Sequence, residues 1–309
     1  MTEVGTSPIP AHCRVGLVGY GEVGRILAED LRARGVAAIG AYDLKLGTAQ
    51  EGPLVAHAAQ HGVRLAASHE DLAAEADLVI CAVTASQTVI VAEAWAPAVR
   101  PGTWFLDFNS ASPGAKVRAA ALIDGAGGRF VEGAVMTSVP PHRIRVPLLL
   151  GGPHAAALKP LLDALGFAAS AGSPALGIAS ATKMCRSVMV KGLEAMVIES
   201  FTTARAYGVE AEVLASLAET FPGIDWERQG AYFFQRVIQH GRRRAEEMRE
   251  AAQTVREAGL EPWSASGTAQ RQAWVAELAE AGAMGDREAA RTDWRVDADR
   301  ILAALPRSK

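Results

Sequence analysis

The sequence predicts an α/β domain with a parallel sheet layered between helices, followed by an all-helical second part. Three observations predict it. Short apolar runs alternate with helix-like runs from residue 14 to about residue 172. The strand-like runs are continuously apolar, as in Asp77–Val83 (DLVICAV), which suits parallel strands buried on both faces. Beyond Ser173-Pro174 clear strand runs stop, and apolar residues recur at helical spacing.

Taken in order, residues 1–13 lack the basic start and apolar centre of a signal peptide and read as a loose tail. Val15–Val18 is the first strand and Arg25–Arg34 the first helix. Val36–Tyr42 is a second strand, Thr48–Gln60 a helix and Val63–Ala66 a short strand. Ser68 before Glu70 and Asp71 is a helix start. After the Asp77–Val83 strand comes a helix, Ser86–Ala96, ended by Pro97. Pro101-Gly102 turns the chain into a strand, Thr103–Asp107. Ser112-Pro113 opens a helix to about Asp124, with proline tolerated in its first turn and Ser112 as the cap. Strands at Phe130–Val135 and Val146–Leu150 flank the proline- and arginine-rich Met136–Arg145. A helix from Pro153 to Leu165 and a short strand near Phe167 close this part. Regular alternation predicts a parallel sheet with right-handed crossovers.

The second part opens with a helix from Ala175 to Tyr207, about 45 Å long at 1.5 Å per residue. Helices follow at Glu210–Phe221, Asp225–Ala258, Pro262–Ala281 with a break near Ser266-Gly267, and Arg291–Leu305. The expected division is therefore a tail over 1–13, a sheet domain over 14–172 and a helical domain over 173–309. Tyr232-Phe233-Phe234 and the tryptophans at 226, 263, 274 and 294 read as helix packing or a subunit interface.

Composition narrows the function classes. The chain has 309 residues, 50% hydrophobic and 21% charged, with a net charge of −3. That balance speaks against general binding to nucleic acid or an anionic membrane. No apolar run is long enough to span a bilayer. Cys13, Cys81 and Cys185 are odd in number and far apart, so neither a disulfide framework nor a metal spacing follows. A reducing cytoplasm is expected.

The chemistry is best marked at Arg14–Gly24 (RVGLVGYGEVG). Gly19, Gly21 and Gly24 form G-x-G-x-x-G between a strand and a helix. The first glycine permits the tight turn, the second lets a pyrophosphate approach the backbone, and the third lets helix pack on strand. The helix start then offers N–H groups and a positive dipole end to the phosphates. Gly19, Tyr20, Gly21, Glu22, Val23 and Gly24 are thus the candidate phosphate-binding turn of a Rossmann-like domain. Asp43 ends the second strand about 20 residues on, where an acid holds the adenine ribose hydroxyls. A carboxylate repels the 2′-phosphate of NADP, so NAD is expected, with NADP as the alternative through Lys45. Ligands in such sheets bind beyond the carboxyl ends of the strands. That adds Val83, Thr84, Asn109 and Ser110 to the candidates.

Four segments, in order, resemble the β-hydroxyacid dehydrogenases, which include 3-hydroxyisobutyrate and 6-phosphogluconate dehydrogenases. GLVGYGEVG is similar to the family fingerprint. DFNSASP (Asp107–Pro113) resembles its substrate segment, D-x-S-T-x-x-P. VEGAVMTSV (Val131–Val139) is similar to D-A-P-V-S-G-G. GIASATKMCR (Gly177–Arg186) resembles the helix with the catalytic lysine and, three residues later, an asparagine. The resemblance implies Lys183 as catalytic acid/base and Asn109 and Ser110 at the substrate. It departs at Arg186, which replaces the asparagine, and at Met136, Thr137 and Ser138, which replace the serine and two glycines. Thr137, Ser138 and Arg186 are therefore candidate substrate contacts for a substrate unlike those of the well-known members. The subgroup is divergent, and helical domains of this kind usually pair, so a homodimer is expected.

Read from the residues alone, Lys183, Ser187 and Lys191 lie near one helix face, with Arg186 beside them. Most helical lysines are solvated. Small and apolar neighbours such as Ala179 and Met184 would instead bury this one and make it a proton carrier near neutral pH. Lys191 is expected to pair with Glu194. Arg143 and Arg145 are either an acid-recognising pair or a solvated basic loop. His240–Arg244 (HGRRR) reads as a solvated face paired with Glu246 and Glu247, with an anion site as the lesser reading. The expected function is a dehydrogenase moving hydride between nicotinamide and a small hydroxy acid or its keto/aldehyde form. The alternatives are an imine or ketimine reductase and a non-catalytic NAD sensor.

Overall fold

The structure, a computed structural model, describes residues 13–290 and 292–305. The rest of the expected leading tail, residues 1–12, and Arg291 at the start of the last expected helix lie outside the described residues. Two compact units divide within one helix, between Met184 and Cys185.

Among the described residues of the first unit, eight strands form one sheet. They are β1 (Arg14–Val18), β2 (Ala38–Tyr42), β3 (Arg64–Leu65), β4 (Leu78–Cys81), β5 (Trp104–Asp107), β6 (Arg129–Val135), β7 (Leu148–Gly151) and β8 (Ala169–Ala171). The helices are α1 (Glu22–Ala33), α2 (Gly52–His61), α3 (His69–Ala73), α4 (Thr88–Trp95), α5 (Pro113–Gly125), α6 (Val139–His142) and α7 (Ala155–Leu165). α8 (Ile178–Tyr207) begins in this unit. Strand order is β3-β2-β1-β4-β5-β6-β7-β8. The order reverses direction between β1 and β4, which opens a crevice at their carboxyl ends.

Apolar strands are buried here because helices cover both faces. Leu78 and Ile80 pack with Leu27 and Leu31 of α1 and Leu158 and Leu162 of α7. Their neighbours Val79 and Cys81 pack on the other face with Leu72, Trp95 and Ile123. At the amino ends of β1 and β4, Asp77 accepts from Arg14 Nη2 at 2.7 Å and from Arg100 Nη2 at 3.1 Å.

One pair departs from the parallel expectation: β7 runs antiparallel to β6. The connection between them holds only the four-residue α6 and a 3₁₀ turn, Arg143–Arg145. Nothing in it is long enough for a crossover helix, so the chain turns back beside β6.

The second unit holds the rest of α8 and α9 (Glu210–Thr220), α10 (Trp226–Glu257), α11 (Trp263–Glu280) and α12 (Trp294–Ala304). Asp225 caps α10 by accepting from Arg228 N. α11 runs through Ser266-Gly267 without the expected break. A Cβ at Gly267 would meet nothing within 4 Å, so this glycine serves neither a bend nor a close approach. Trp226, Phe233, Phe234 and Trp294 are buried in this unit's core, whereas Tyr232 and Trp263 are exposed. No described helix is long and apolar enough to cross a membrane.

Candidate functional site

The glycine turn joins β1 to α1 at the crevice. Gly19 has φ +89°, and a Cβ there would lie 2.4 Å from the Ala82 carbonyl oxygen. A Cβ on Gly24 would lie 2.2 Å from the Gly19 oxygen, so α1 can pack against the turn only as glycine. A Cβ on Gly21 would meet nothing within 4 Å. The middle glycine therefore faces open space in front of the α1 N-terminus. This is the cradle a pyrophosphate needs, and these residues fit a dinucleotide.

Tyr20 points the other way. Its side chain is fully buried, and its hydroxyl lies 2.8 Å from His57 Nδ1. Burial pushes this phenol up to about 12. Its backbone N–H donates to Asp43 Oδ2 at 2.8 Å, and Lys45 N–H donates to Oδ1 at 2.9 Å. Asp43 thus ties the turn to the end of β2, and each oxygen keeps a further lone pair for a ribose hydroxyl. Glu22 is exposed and Val23 half-buried on the first turn of α1. Val83 approaches the turn too, since a Cβ on Gly19 would lie 2.9 Å from its side chain. Thr84 is exposed beyond it.

After β5 the chain builds a polar floor beyond the strand ends. Asn109 is 3% exposed. Its Oδ1 accepts from Val83 N–H at 2.8 Å, and its Nδ2 donates to Cys81 Sγ at 3.3 Å. It clamps the ends of β4 and β5 together. Burial pushes the Cys81 thiol up. Ser112 caps α5 by accepting from Ala115 N–H, as expected. Ser110, between them, is half-buried and accepts from Lys183 Nζ at 2.5 Å.

How Lys183 reaches Ser110 follows from two residues not singled out in the sequence. Glu132 of β6 is fully buried, and its Oε2 accepts from Gly177 N–H at 2.8 Å. Its Oε1 accepts from Ser180 N–H in a short contact. A buried carboxylate thus holds the N-terminus of α8. Gly177, at φ +88°, brings that start against Pro113, where a Cβ would sit 3.2 Å from the proline Cβ. Below, Lys116 is fully buried, with Nζ 3.1 Å from Asp107 Oδ2 and 3.1 Å from the Asp107 carbonyl oxygen. Burial pushes the Asp107 carboxyl up, and Lys116 opposes that. The signals were present. Lys116 falls in the stripe Ala115, Ala119, Ala120, Ile123, and Glu132 interrupts an apolar strand.

The remaining candidates are dispersed. Thr137 is exposed and Ser138 half-buried at the start of α6. Arg186 is exposed in the second unit. Arg143 is spent on α1: its guanidinium lies 2.6 Å from Glu29 Oε2 and 2.8 Å from Asp30 Oδ1. It also has φ +53°, a strained value for a side-chain-bearing residue. Glu29, His57 and His61 are the described residues whose ligand atoms come within 4.8 Å of one another, as a metal would need. The His57 ring already links Glu29 to Tyr20.

In the second unit, two expectations fail. Lys191 is 6% exposed and pairs with Glu247 at 2.5 Å rather than with Glu194. Glu194 instead receives Arg244 through both oxygens, with Gln272 Nε2 at 3.3 Å. Arg244 is only 6% exposed, so HGRRR is not simply a solvated face. Its partners lie on other helices, out of reach of spacing rules.

A family model described as the NAD binding domain of 6-phosphogluconate dehydrogenase matches residues 14–172. A second, a domain of unknown function (DUF1932), matches residues 204–275. A conserved protein of Sinorhizobium meliloti is 36% identical in a solved structure, with 95% of this chain and 97% of that one covered at a TM-score of 0.76. An uncharacterized 28.5 kDa protein of Methanothermus fervidus is 27% identical, over 81% of this chain and 93% of its own. The fold is shared with 3-hydroxyisobutyrate dehydrogenase of Mycobacterium tuberculosis, solved with L-serine. That protein is 19% identical, with 94% and 99% covered and a TM-score of 0.65.

Proposed function

The chain belongs to the β-hydroxyacid dehydrogenase family, as a divergent member with an NAD-binding domain of the 6-phosphogluconate dehydrogenase type over residues 14–172, and we propose that it oxidises a small hydroxy acid, or reduces the matching aldehyde or ketone, with Lys183 as acid/base. The observation that carries this reading is the 2.5 Å link from Lys183 Nζ to Ser110 Oγ. It puts an amine beside a hydroxyl directly beyond β5, one strand from the β1/β4 crevice.

The bound dinucleotide would supply or accept the hydride. Lys183 Nζ takes the substrate's hydroxyl proton during oxidation and returns a proton to the carbonyl oxygen in the reverse direction. Ser110 Oγ fixes the direction of Nζ and offers a second hydrogen bond to the same substrate oxygen. Glu132 holds the first turn of α8, and with it the lysine. Asn109 is buried, so it shapes this floor from beneath. Asp43 favours NAD, because a carboxylate at the end of β2 accepts from ribose hydroxyls and repels a 2′-phosphate.

The test is a panel of small hydroxy acids, L-serine included, with NAD and NADP, read at the nicotinamide absorbance. K183A should lower kcat by roughly 10²–10⁴-fold, the usual worth of a positioned acid/base. NADH binding, followed by its fluorescence, should stay as in the parent. Unchanged turnover in K183A would remove the lysine from the mechanism, and NADP preference would overturn the Asp43 argument. Imine reduction without alcohol oxidation would favour the imine reductase reading instead.

A further inference from the structure

One group of charges in the second unit takes no part in this chemistry. Arg236, His240, Arg243 and Arg244 recur at helical spacing on α10 and so share a face. Arg287 joins them from the segment after α11: its Nη2 donates to the Gln239 carbonyl at 3.2 Å. Burial first, and then the charges of four guanidiniums, those of Arg236, Arg243, Arg244 and Arg287, push the His240 imidazole down to about 4. Burial, and next Arg244, also lower the affinity of Arg236 for its proton.

Acids nearby are already engaged. Glu194 is held by both guanidinium arms of Arg244, and Glu247 by Lys191. Arg236, which has interactions of its own, adds charge rather than removing it. Arg287 carries a separate signal: its Nε is buried and meets no hydrogen-bond acceptor. A buried guanidinium donor left without an acceptor costs stability unless something fills the place. Mutually repelling cations in half-buried ground carry a cost of the same kind.

We propose that Arg236, His240 and Arg243 on this face of α10, together with Arg287, bind a small oxyanion, a carboxylate or phosphate group, while Arg244 stays with Glu194. Guanidinium forks match such anions with paired hydrogen bonds, which a chloride cannot reproduce. A neutral His240 adds one N–H donor without adding charge. The site stands on the helical unit alone and does not depend on the hydride chemistry.

Isothermal titration of the full chain tests it, with inorganic phosphate and acetate as probes and sodium chloride at matched ionic strength as control. Saturable binding of phosphate or acetate beyond the chloride control is expected, and which of them binds assigns the class. Arg243 is exposed, so R243Q leaves the fold intact; R287Q removes the buried Nε. Each should weaken the anion's Kd at least tenfold, with circular dichroism and NADH binding unchanged. R256Q is the control, because Arg256 lies in the last turn of α10, about 20 Å along the helix from Arg243, and it should leave the Kd as it was. Heats no greater than chloride's, or a Kd indifferent to both R243Q and R287Q, would overturn the proposal.

Discussion

Replacing Glu132 should unfasten the lysine without touching it. The carboxylate is fully buried and accepts the Gly177 and Ser180 N–H groups at the start of α8. E132A leaves both donors buried and unmet, at about 1–3 kcal/mol each. Some water will enter the space left, so about 3 kcal/mol is the expected loss, felt as opening of the first turn. At 1.4 kcal/mol per factor of ten, that is roughly a 100-fold rise in local opening. Lys183 lies three residues beyond Ser180, about 4.5 Å along the axis, and its amine would lose its register with Ser110. E132Q keeps one acceptor and loses the charge at the helix N-terminus, so about 1 kcal/mol is expected there. Hydrogen exchange read at the Ser180 amide measures the opening, and kcat on the best substrate measures the consequence. Faster exchange confined to the first turn, with kcat falling and NADH binding kept, is the expected pattern. A Ser180 amide that exchanges as in the parent would refute the capping argument.

The glycine turn allows a sharper contrast. G21A should fold with parent stability, because its Cβ enters open space, yet lose NADH affinity at least tenfold; G24A should lose stability, because its Cβ meets the Gly19 oxygen at 2.2 Å. Thermal melts beside NADH titrations separate the two, and equal stability loss in both would contradict the assigned roles. Lys116 is the cation beside buried Asp107, so K116M should cost about 3–5 kcal/mol by stranding that charge, and D107N/K116M should recover much of it; a double variant no better than K116M would count against the pairing. Asp77 is held down to about 2 by Arg14. A depressed carboxyl stabilises above its unfolded value near 3.8 and loses that contribution as pH falls through about 2. Arg14 and Asp77 are 42% and 41% exposed, so screening leaves about 1 kcal/mol. Acid unfolding from pH 4 to 2 should therefore be shallower in D77N, and an identical slope would rule the contribution out.

The sheet domain was legible because its signals are local. Buried parallel strands must be apolar on both sides, which makes Leu78–Cys81 unmistakable. Ser68 and Ser112 announce their helices within four residues and cap them as expected. The antiparallel return of β7 was not legible, since the apolar pattern of a short strand is the same in either direction. Its only trace was the length of Met136–Arg145, too short for a crossover helix. The missing break in α11 has the opposite origin: Ser266-Gly267 weakens a helix in isolation, but packing on α10 overrides the local preference.

The site divides along the same line. Gly19, Gly21, Gly24 and Asp43 are read from a motif because backbone geometry dictates each residue type. The groups that hold the reactive ones in place are read from nothing local. Tyr20 looks like a ligand contact in the fingerprint, yet its hydroxyl turns inward to His57, 37 residues away. His57 reaches Glu29, and Glu29 reaches Arg143, 114 residues further on. Arg143 accepts a φ of +53° in that position, a cost of about 1–3 kcal/mol that its two carboxylates offset. Four residues from three separate segments thus brace the floor of the glycine turn. None of the four is placed by periodicity, because each pairs across the fold rather than along the chain. Where a polar residue stands in an apolar pattern, as Lys116 and Glu132 do, the useful question is which distant backbone or charge it satisfies. Here both answers lead to the strand ends beneath Ser110 and Lys183.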